Sequence, residues 1–380
     1  MRVAVFIALL VFILGVVPAY VARRLFAPFD WPRRRRWLAW AVVELLLLAT
    51  PATMGLHRRI EAEWADAVTA AAYVGFGLFL FLLFYVIARD VIWIAFRIAG
   101  RPSAPRRRLW LRRTSIAVIA ASLASLAIGM WQALGPPRVV RISLPVADLP
   151  PDLDGFRIAH LSDIHLGPWK KRRDLTRIVE IVNRLEPDIV AITGDFVDGT
   201  VSFRGRDAEP LRHLNTPAFF AIGNHDVYSG AAEWSRLLES LGVTVLAGGY
   251  RTVRVGPENV LIAGLVDPAM ARAAPPEARD PALLAAGDGP ASFRILLAHR
   301  NTDAFAAASA GFDLQLSGHT HGGQFFPATL IIPRLHPFPA GLRRWRGMWL
   351  YTSTGAGFWG PPVRFLNPPE IALIVLRRAG

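Results

Sequence analysis

One stretch sets the terms for the rest of the chain. Residues 157–167 read RIAHLSDIHLG, an apolar run followed by Asp163 and His165. A short apolar run bounded by turn residues suits a strand buried on both faces, as in a parallel sheet. The Asp-x-His pair then falls just past the strand, at the carboxyl edge where open α/β sheets build their sites. The device recurs. DIVAIT (188–193) leads into Gly194-Asp195, and AFFAI (218–222) into Gly223-Asn224-His225-Asp226. FRILLA (293–298) leads into His299, and LQL (314–316) runs on to Gly318-His319-Thr320-His321. Amphipathic helices fit residues 170–185 and 231–241, the first with Leu175, Ile178, Val179, Ile181, Val182 and Leu185 on one side. Strands at 243–246, 252–255 and 260–265 follow one another without long helices and point to a second sheet. Strands at 139–144, 348–351 and 371–376 open and close the region. The expected fold over 140–380 is α/β: two packed sheets flanked by helices.

Upstream, the pattern changes. Apolar runs at 3–22, 37–56, 69–88 and 115–134 each have the roughly 20 residues a helix needs to cross a hydrocarbon core. Residues 1–135 are therefore expected to form an all-α transmembrane domain of four helices. Glu44, inside the second run, reads as a helix-end or helix-facing residue. Net charge is +14, but unevenly spread: residues 1–140 hold 18 Lys/Arg against 6 Asp/Glu, and residues 141–380 hold 25 against 23. The basic excess belongs to the membrane half, so no nucleic-acid partner is expected. It gathers in two loops, at Arg23, Arg24 and Arg33 to Arg36, and at Arg89, Arg97, Arg101, Arg106 to Arg108, Arg112 and Arg113. Arginine-rich loops stay cytoplasmic. That orientation puts the region after the fourth span outside the cytoplasm, at a bacterial inner membrane. The chain has no cysteine, which excludes disulfides and thiolate metal sites.

The polar clusters offer carboxylate oxygens, an amide oxygen and imidazole nitrogens. With no thiolate, that set suits Mn²⁺, Fe or Zn²⁺, and its histidines argue against Ca²⁺ or Mg²⁺. The donors are too many for one tetrahedral ion. They suffice for two ions sharing a bridging carboxylate, a pair that can generate a hydroxide nucleophile and neutralise a phosphoryl group. Glycines beside the ligands let the backbone come close.

The ordered set D-x-H, G-D, G-N-H-D, a lone His and G-H-T-H resembles the calcineurin-like metallophosphoesterase superfamily. The ending YTSTGAGFWGPPVRFLNPPEIALIVL is similar to its bacterial membrane-anchored branch. The resemblance implies a two-sheet sandwich of αββα type and a metal-dependent phosphoric ester hydrolase. It implies that Asp163, His165 and His321 bind one ion, that Asp195 bridges, and that Asn224, His299 and His319 bind the second. His225 would contact the phosphate and protonate the leaving oxygen, with Asp226 orienting it. Where a proline often follows the lone histidine, this chain has Arg300.

Four tethering helices favour lipid or envelope phosphoesters as substrates and membrane lipids as partners. The segment 333–360, rich in Pro, Arg and Trp, is expected near the site mouth as an interfacial lip. Two other readings stand beside the hydrolase: a pyrophosphatase for a UDP-linked lipid precursor, whose cytoplasmic substrate conflicts with the orientation, and a non-catalytic membrane sensor or scaffold. The latter would be marked by missing ligands. His160, inside a strand, reads as a buried, satisfied histidine. His57 and His213 read as loop or surface residues, and His336, in PRLHPFP, is assigned no role. No G-x-x-x-x-G-K-[ST] loop or G-x-S-x-G elbow is present.

Overall fold

A computed structural model describes residues 12–57, 60–100, 104–270 and 273–379. The chain divides into two compact units. One runs to Trp131 and includes Gly360–Val363; the other comprises Gln132–Trp359 and Arg364–Gly380.

The first unit is helical: α1 (Val17–Phe26), α2 (Arg33–His57), α3 (Glu63–Ala99) and α4 (Ala104–Leu134). Among the described residues, three stretches are long and apolar enough to cross a membrane: Arg33–Gly55, Glu63–Ile98 and Arg106–Leu134. The count is three where the sequence suggested four. The expected span at 3–22 lies in part outside the described residues, and α1 has ten residues, too few to cross alone. Val21 and Leu25 of α1, Val43 and Leu47 of α2, Phe79, Leu82 and Val86 of α3 and Val118 of α4 form one buried cluster. Leu45, Val91, Ile94, Phe96 and Ile116 face outward. Helices apolar on their outer surface are what a bilayer solvates.

The second unit holds two six-stranded mixed sheets. The first contains β1 (Arg138–Val146), β2 (Arg157–Leu161), β3 (Ile189–Thr193), β4 (Ala218–Ala221), β5 (Val243–Val245) and β12 (Glu370–Arg378), in the order β1-β12-β2-β3-β4-β5. The second contains β6 (Tyr250–Val255), β7 (Glu258–Leu265), β8 (Phe293–Ala298), β9 (Leu314–Ser317), β10 (Gly341–Trp345) and β11 (Met348–Thr352), in the order β10-β11-β9-β8-β7-β6. Residues 243–245 were expected in the second sheet. They pair in parallel with β4 instead, because the helix Ala231–Ser240 carries the chain over as a parallel crossover.

The two-residue strand period builds the layers. Ile158, Ile189 and Ala191 of the first sheet meet Ile262, Ile295, Leu297 and Leu316 of the second in a shared core. The alternating residues Ala159, Leu161, Val190 and Ile192 face away. They pack on Ile178, Val179 and Val182 of α5 (Arg172–Leu185) and on Trp234 and Leu238. Leu296 and Ala298 face Ala304 and Ala307 on the far side of the second sheet. The result is a helix–sheet–sheet–helix sandwich. Strands β2, β3 and β4 run parallel, as do β7, β8 and β9, so each trio presents its carboxyl ends along one rim.

Packing at that rim leaves no room for extra atoms. A Cβ on Gly318 would lie 1.9 Å from Ser162 Oγ and 2.0 Å from Asp163 Oδ2, whereas one on Gly249 would meet nothing within 4 Å. Gly318→Ala should therefore destabilise the protein by about 1–3 kcal/mol, the usual cost of overpacking. Gly249→Ala should stay within about 0.5 kcal/mol of the parent, as an uncrowded substitution does. Thermal unfolding of the purified full chain in detergent reads both, and equal midpoints for the two variants would contradict the packing argument.

Candidate metal centre

The five polar clusters meet at the rim. Asp163 and His165 follow β2, Asp195 follows β3, Asn224 and His225 follow β4, His299 follows β8, and His319 and His321 follow β9. Two sheets thus contribute to one site. The turns that aim these side chains are strained. Ten non-glycine residues among those described have positive φ, and five of them are Asp163 (52°), His165 (51°), Asp195 (51°), His319 (71°) and His321 (49°). Each such conformation costs a non-glycine residue about 1–2 kcal/mol. Strain concentrated this way marks a site that the surrounding structure over-determines.

The donors converge in two groups. Asp163, His165 and His321 each offer a ligating atom, all within 4.8 Å of one another, and so do Asp195, His299 and His319. Asp195 Oδ2 lies between the groups, 3.1 Å from His299 Nε2 and 3.8 Å from His165 Nε2. Imidazole nitrogens face each other across both: His319 Nδ1 and His299 Nε2 at 3.1 Å, His321 Nε2 and His165 Nε2 at 3.3 Å. Asn224 is buried, and its Oδ1 has no hydrogen-bond partner among the described residues. A buried acceptor left unpaired costs about 1–3 kcal/mol. A cation at this point would satisfy it, so the donor set fits metal ions.

Outer contacts hold the rings in ligating tautomers. His299 Nδ1 donates to the Thr193 carbonyl at 2.7 Å, and His165 Nδ1 donates to Asp198 Oδ2 at 3.0 Å. Each leaves Nε2 turned inward toward the other donors, the nitrogen a metal-binding histidine would present. His321 differs. Arg364 Nη2 donates to its Nδ1 at 3.0 Å, so the neutral ring keeps its proton on Nε2, 3.4 Å from Asp163 Oδ1. Ligation by His321 must release that proton.

The charges follow from crowding. Burial alone would drive His299 down, but the Asp195 carboxylate beside it outweighs burial and lifts it to about 10. Burial would likewise lift Asp195, yet His299 and its neighbours hold it well below the usual carboxylate range. Burial raises Asp163 and pushes His319 down to about 4.

His225 has the partner the sequence did not identify. Its Nδ1 donates to Asp198 Oδ1 at 2.5 Å, and that carboxylate outweighs the burial that would lower His225, holding it at about 9. Asp226, expected to orient His225, is turned elsewhere. Its carboxylate accepts from the backbone N–H groups of Asp195 and Phe196, each at 2.9 Å, and of Gly223 at 2.8 Å. It ties the loop after β3 to the loop after β4, and burial pushes it up to about 7. Asp198 sits in GDFVDG, where an Asp-Gly pair reads as a turn. Its spacing of three from Asp195 was the available signal.

Arg364 was also missed. Wholly buried, it reaches the Gly357 carbonyl at 2.9 Å and the Thr354 carbonyl at 2.7 Å, bracing the TSTGAGFWG loop beneath His321. Of the lip segment, Trp359 comes to the site, 5.6 Å from the His225 ring, with Tyr228 also 5.6 Å from that ring. Arg343, Arg344 and Arg346 belong to the β10–β11 hairpin, whose turn lies at the opposite end of the sheet from the metal rim. There Trp345 packs on Phe305 and Phe338. His160 donates or accepts at Thr193 Oγ1 (2.8 Å) through Nε2, while Nδ1 has no partner among the described residues. Burial keeps the ring neutral, down at about 3. It is half-satisfied.

The family model described as calcineurin-like phosphoesterase matches residues 156–323. A transmembrane protein with metallophosphoesterase domain from Danio rerio is 34% identical over 361 residues, covering 90% of this chain and 81% of its own. The protein of the same description from Bos taurus is 32% identical, covering 84% and 76%. An uncharacterized metallophosphoesterase from Helicobacter pylori strain J99 is 32% identical, covering 87% and 88%. Such similarity extends over both the helical and the two-sheet units, and by it the chain belongs to the calcineurin-like metallophosphoesterase family.

Proposed function

We propose that this protein is a membrane-anchored, dinuclear metal-dependent phosphoesterase that hydrolyses phosphomonoesters or phosphodiesters, with lipid-linked or envelope substrates favoured by the anchor. The observation that carries the reading is Asp195 Oδ2, set between two histidine-bearing donor groups. Asp163, His165 and His321 would hold one divalent ion and Asn224, His299 and His319 the other, with Asp195 shared. Bound there, Mn²⁺, Fe or Zn²⁺ would lower the pKa of a water and neutralise phosphoryl oxygens.

The chain's own residues supply the rest. His225 stands beside the two groups, its Nε2 without a partner among the described residues, and at about 9 it keeps its proton at neutral pH. It can donate to a phosphoryl oxygen and then protonate the departing alkoxide, a task worth about 10²–10⁴ in rate. Asp198 fixes which nitrogen faces the substrate. Tyr228 and Trp359 wall this side and limit water. No donor of the expected set is missing, which weighs against a non-catalytic scaffold. The arginine-rich ends of α2 and α4 favour an orientation with the two-sheet unit outside the cytoplasm of a bacterial inner membrane.

The purified full chain, loaded with Mn²⁺, should cleave p-nitrophenyl phosphate or bis-p-nitrophenyl phosphate, and chelation should abolish this. His225→Ala should lower kcat by about 10²–10⁴ with metal retained. Asp195→Asn should lose both metal and activity. Folded, metal-loaded protein inactive on both esters would end the hydrolase reading.

Two further variants separate the neighbouring carboxylates. Asp198→Asn should cut kcat at least tenfold and weaken metal binding by about 10–100-fold, the usual cost of losing a partner of a ligating histidine. Asp226→Asn should instead lower the unfolding midpoint, because an amide cannot accept three N–H bonds and unmet buried donors cost about 1–3 kcal/mol each. The reverse pattern would return the orienting role to Asp226.

The cysteine-free chain also allows a clean topology test. In intact cells expressing single-cysteine variants, an impermeant maleimide should label Arg141→Cys and spare Arg34→Cys. The opposite labelling would invert the proposed orientation.

A further inference from the structure

The helical unit contains a cationic pocket that the hydrolase reading does not use. It encloses about 360 Å³ and is lined by Arg23, Arg24, Ala27 and Pro28 from the end of α1, and by Arg107, Arg108 and Leu111 from the first turns of α4. That volume is in the range of small-molecule sites. Four guanidinium groups from two separate stretches of sequence therefore share one cavity.

The charge there is not balanced. Arg24 is spoken for: its Nε and Nη2 reach Asp90 at 2.5 and 2.6 Å, and Tyr20 Oη donates to the same carboxylate at 2.6 Å. Arg89 braces the wall, donating to Ser115 Oγ at 3.0 Å and to the Arg24 carbonyl at 3.1 Å. Arg108 pairs with the exposed Asp30. Arg23 and Arg107 have no carboxylate partner among the described residues. Arg107 lies instead over the Trp93 ring, 6.0 Å from its centroid. The pocket thus has a wall fixed by Asp90 and two further cations, Arg23 and Arg107, in its lining.

Its surroundings set the depth. Trp31 stacks on Phe26 and Phe29 at 5.3 and 5.4 Å, and Trp93 packs on Trp110 at 4.9 Å. Aromatic residues flanking long apolar helices occupy the headgroup layer. An arginine pocket between α1 and the membrane-spanning α4 at that layer matches the phosphate of an anionic lipid, since guanidinium groups bind phosphate oxygens two at a time. We propose that the cavity between α1 and α4 is a binding site for the phosphate headgroup of an anionic phospholipid, distinct from the metal centre.

Native mass spectrometry of the full chain in detergent tests this with three probes: phosphatidylglycerol, phosphatidylcholine and soluble glycerol phosphate. The parent should retain phosphatidylglycerol at least tenfold more than phosphatidylcholine and should not retain glycerol phosphate. Arg23→Gln/Arg107→Gln leaves the Asp90 network intact and should lower retention about tenfold. Arg33→Gln/Arg36→Gln removes the same charge elsewhere and should not. Equal loss in both pairs would make the effect diffuse charge and overturn the site, as would no loss in either. Retention of glycerol phosphate as strong as that of the lipid would overturn the lipid assignment in favour of a soluble phosphate. Unfolding midpoints of both pairs, expected near the parent's, confirm that the comparison is between folded proteins.

Discussion

Everything at the rim depends on holding electron-rich groups closer together than they would choose to be. Two buried carboxylates, four imidazoles and an amide oxygen are packed where little water reaches to soften their repulsion. In such a place, like charges and opposed lone pairs are expensive. The fold meets the cost with rigidity. Parallel strands from two sheets end together, and residues held at positive φ turn the chain sharply at each end. Divalent ions held there would convert that repulsion into coordination.

The second tier of contacts explains why the arrangement does not relax. Asp226 ties two loops together through backbone N–H groups, Thr193 and Asp198 choose the tautomers, and Arg364 props the loop beneath His321. None of these need touch substrate. Asp198 is shared by His165 and His225, one a prospective ligand and the other the prospective acid. The charge state of one ring is therefore felt by the other through a single carboxylate.

Local signals were legible in the sequence, and signals that depend on long-range geometry were not. Apolar runs ending in Asp-x-His, Gly-Asn-His-Asp and Gly-His-Thr-His identify strand ends, because burial on both faces leaves few other readings for such runs. The residues predicted there do come together. Asp198 reads as a turn residue because Asp-Gly is the ordinary signature of a turn, and the pairing of Asp226 with His225 rests on the family resemblance alone. In a helical turn, neighbours point apart, and Asp226 faces the backbone. Arg364 lies 43 residues from His321, with no local cue to its burial. Residues 243–245 looked like the start of the second sheet until the preceding helix was seen to act as a crossover. The Arg-Trp segment after the last histidines was read by proximity in sequence, yet a hairpin carries most of it to the other end of the sheet.

The strand order of the first sheet has a consequence for how the protein is made. β12 lies between β1 and β2, pairing with β1 over nine residues from Arg138↔Glu370 to Val146↔Arg378. β1 follows directly from the last membrane helix and is among the first parts of this unit to leave the ribosome. Among the described residues its one strand partner, β12, is among the last. Throughout synthesis, β1 stays an open edge and the shared core lacks Ile374 and Leu376. The two-sheet unit is therefore a post-translational closure, and a nascent chain stalled before residue 370 carries an adhesive strand beside the membrane that quality control can recognise.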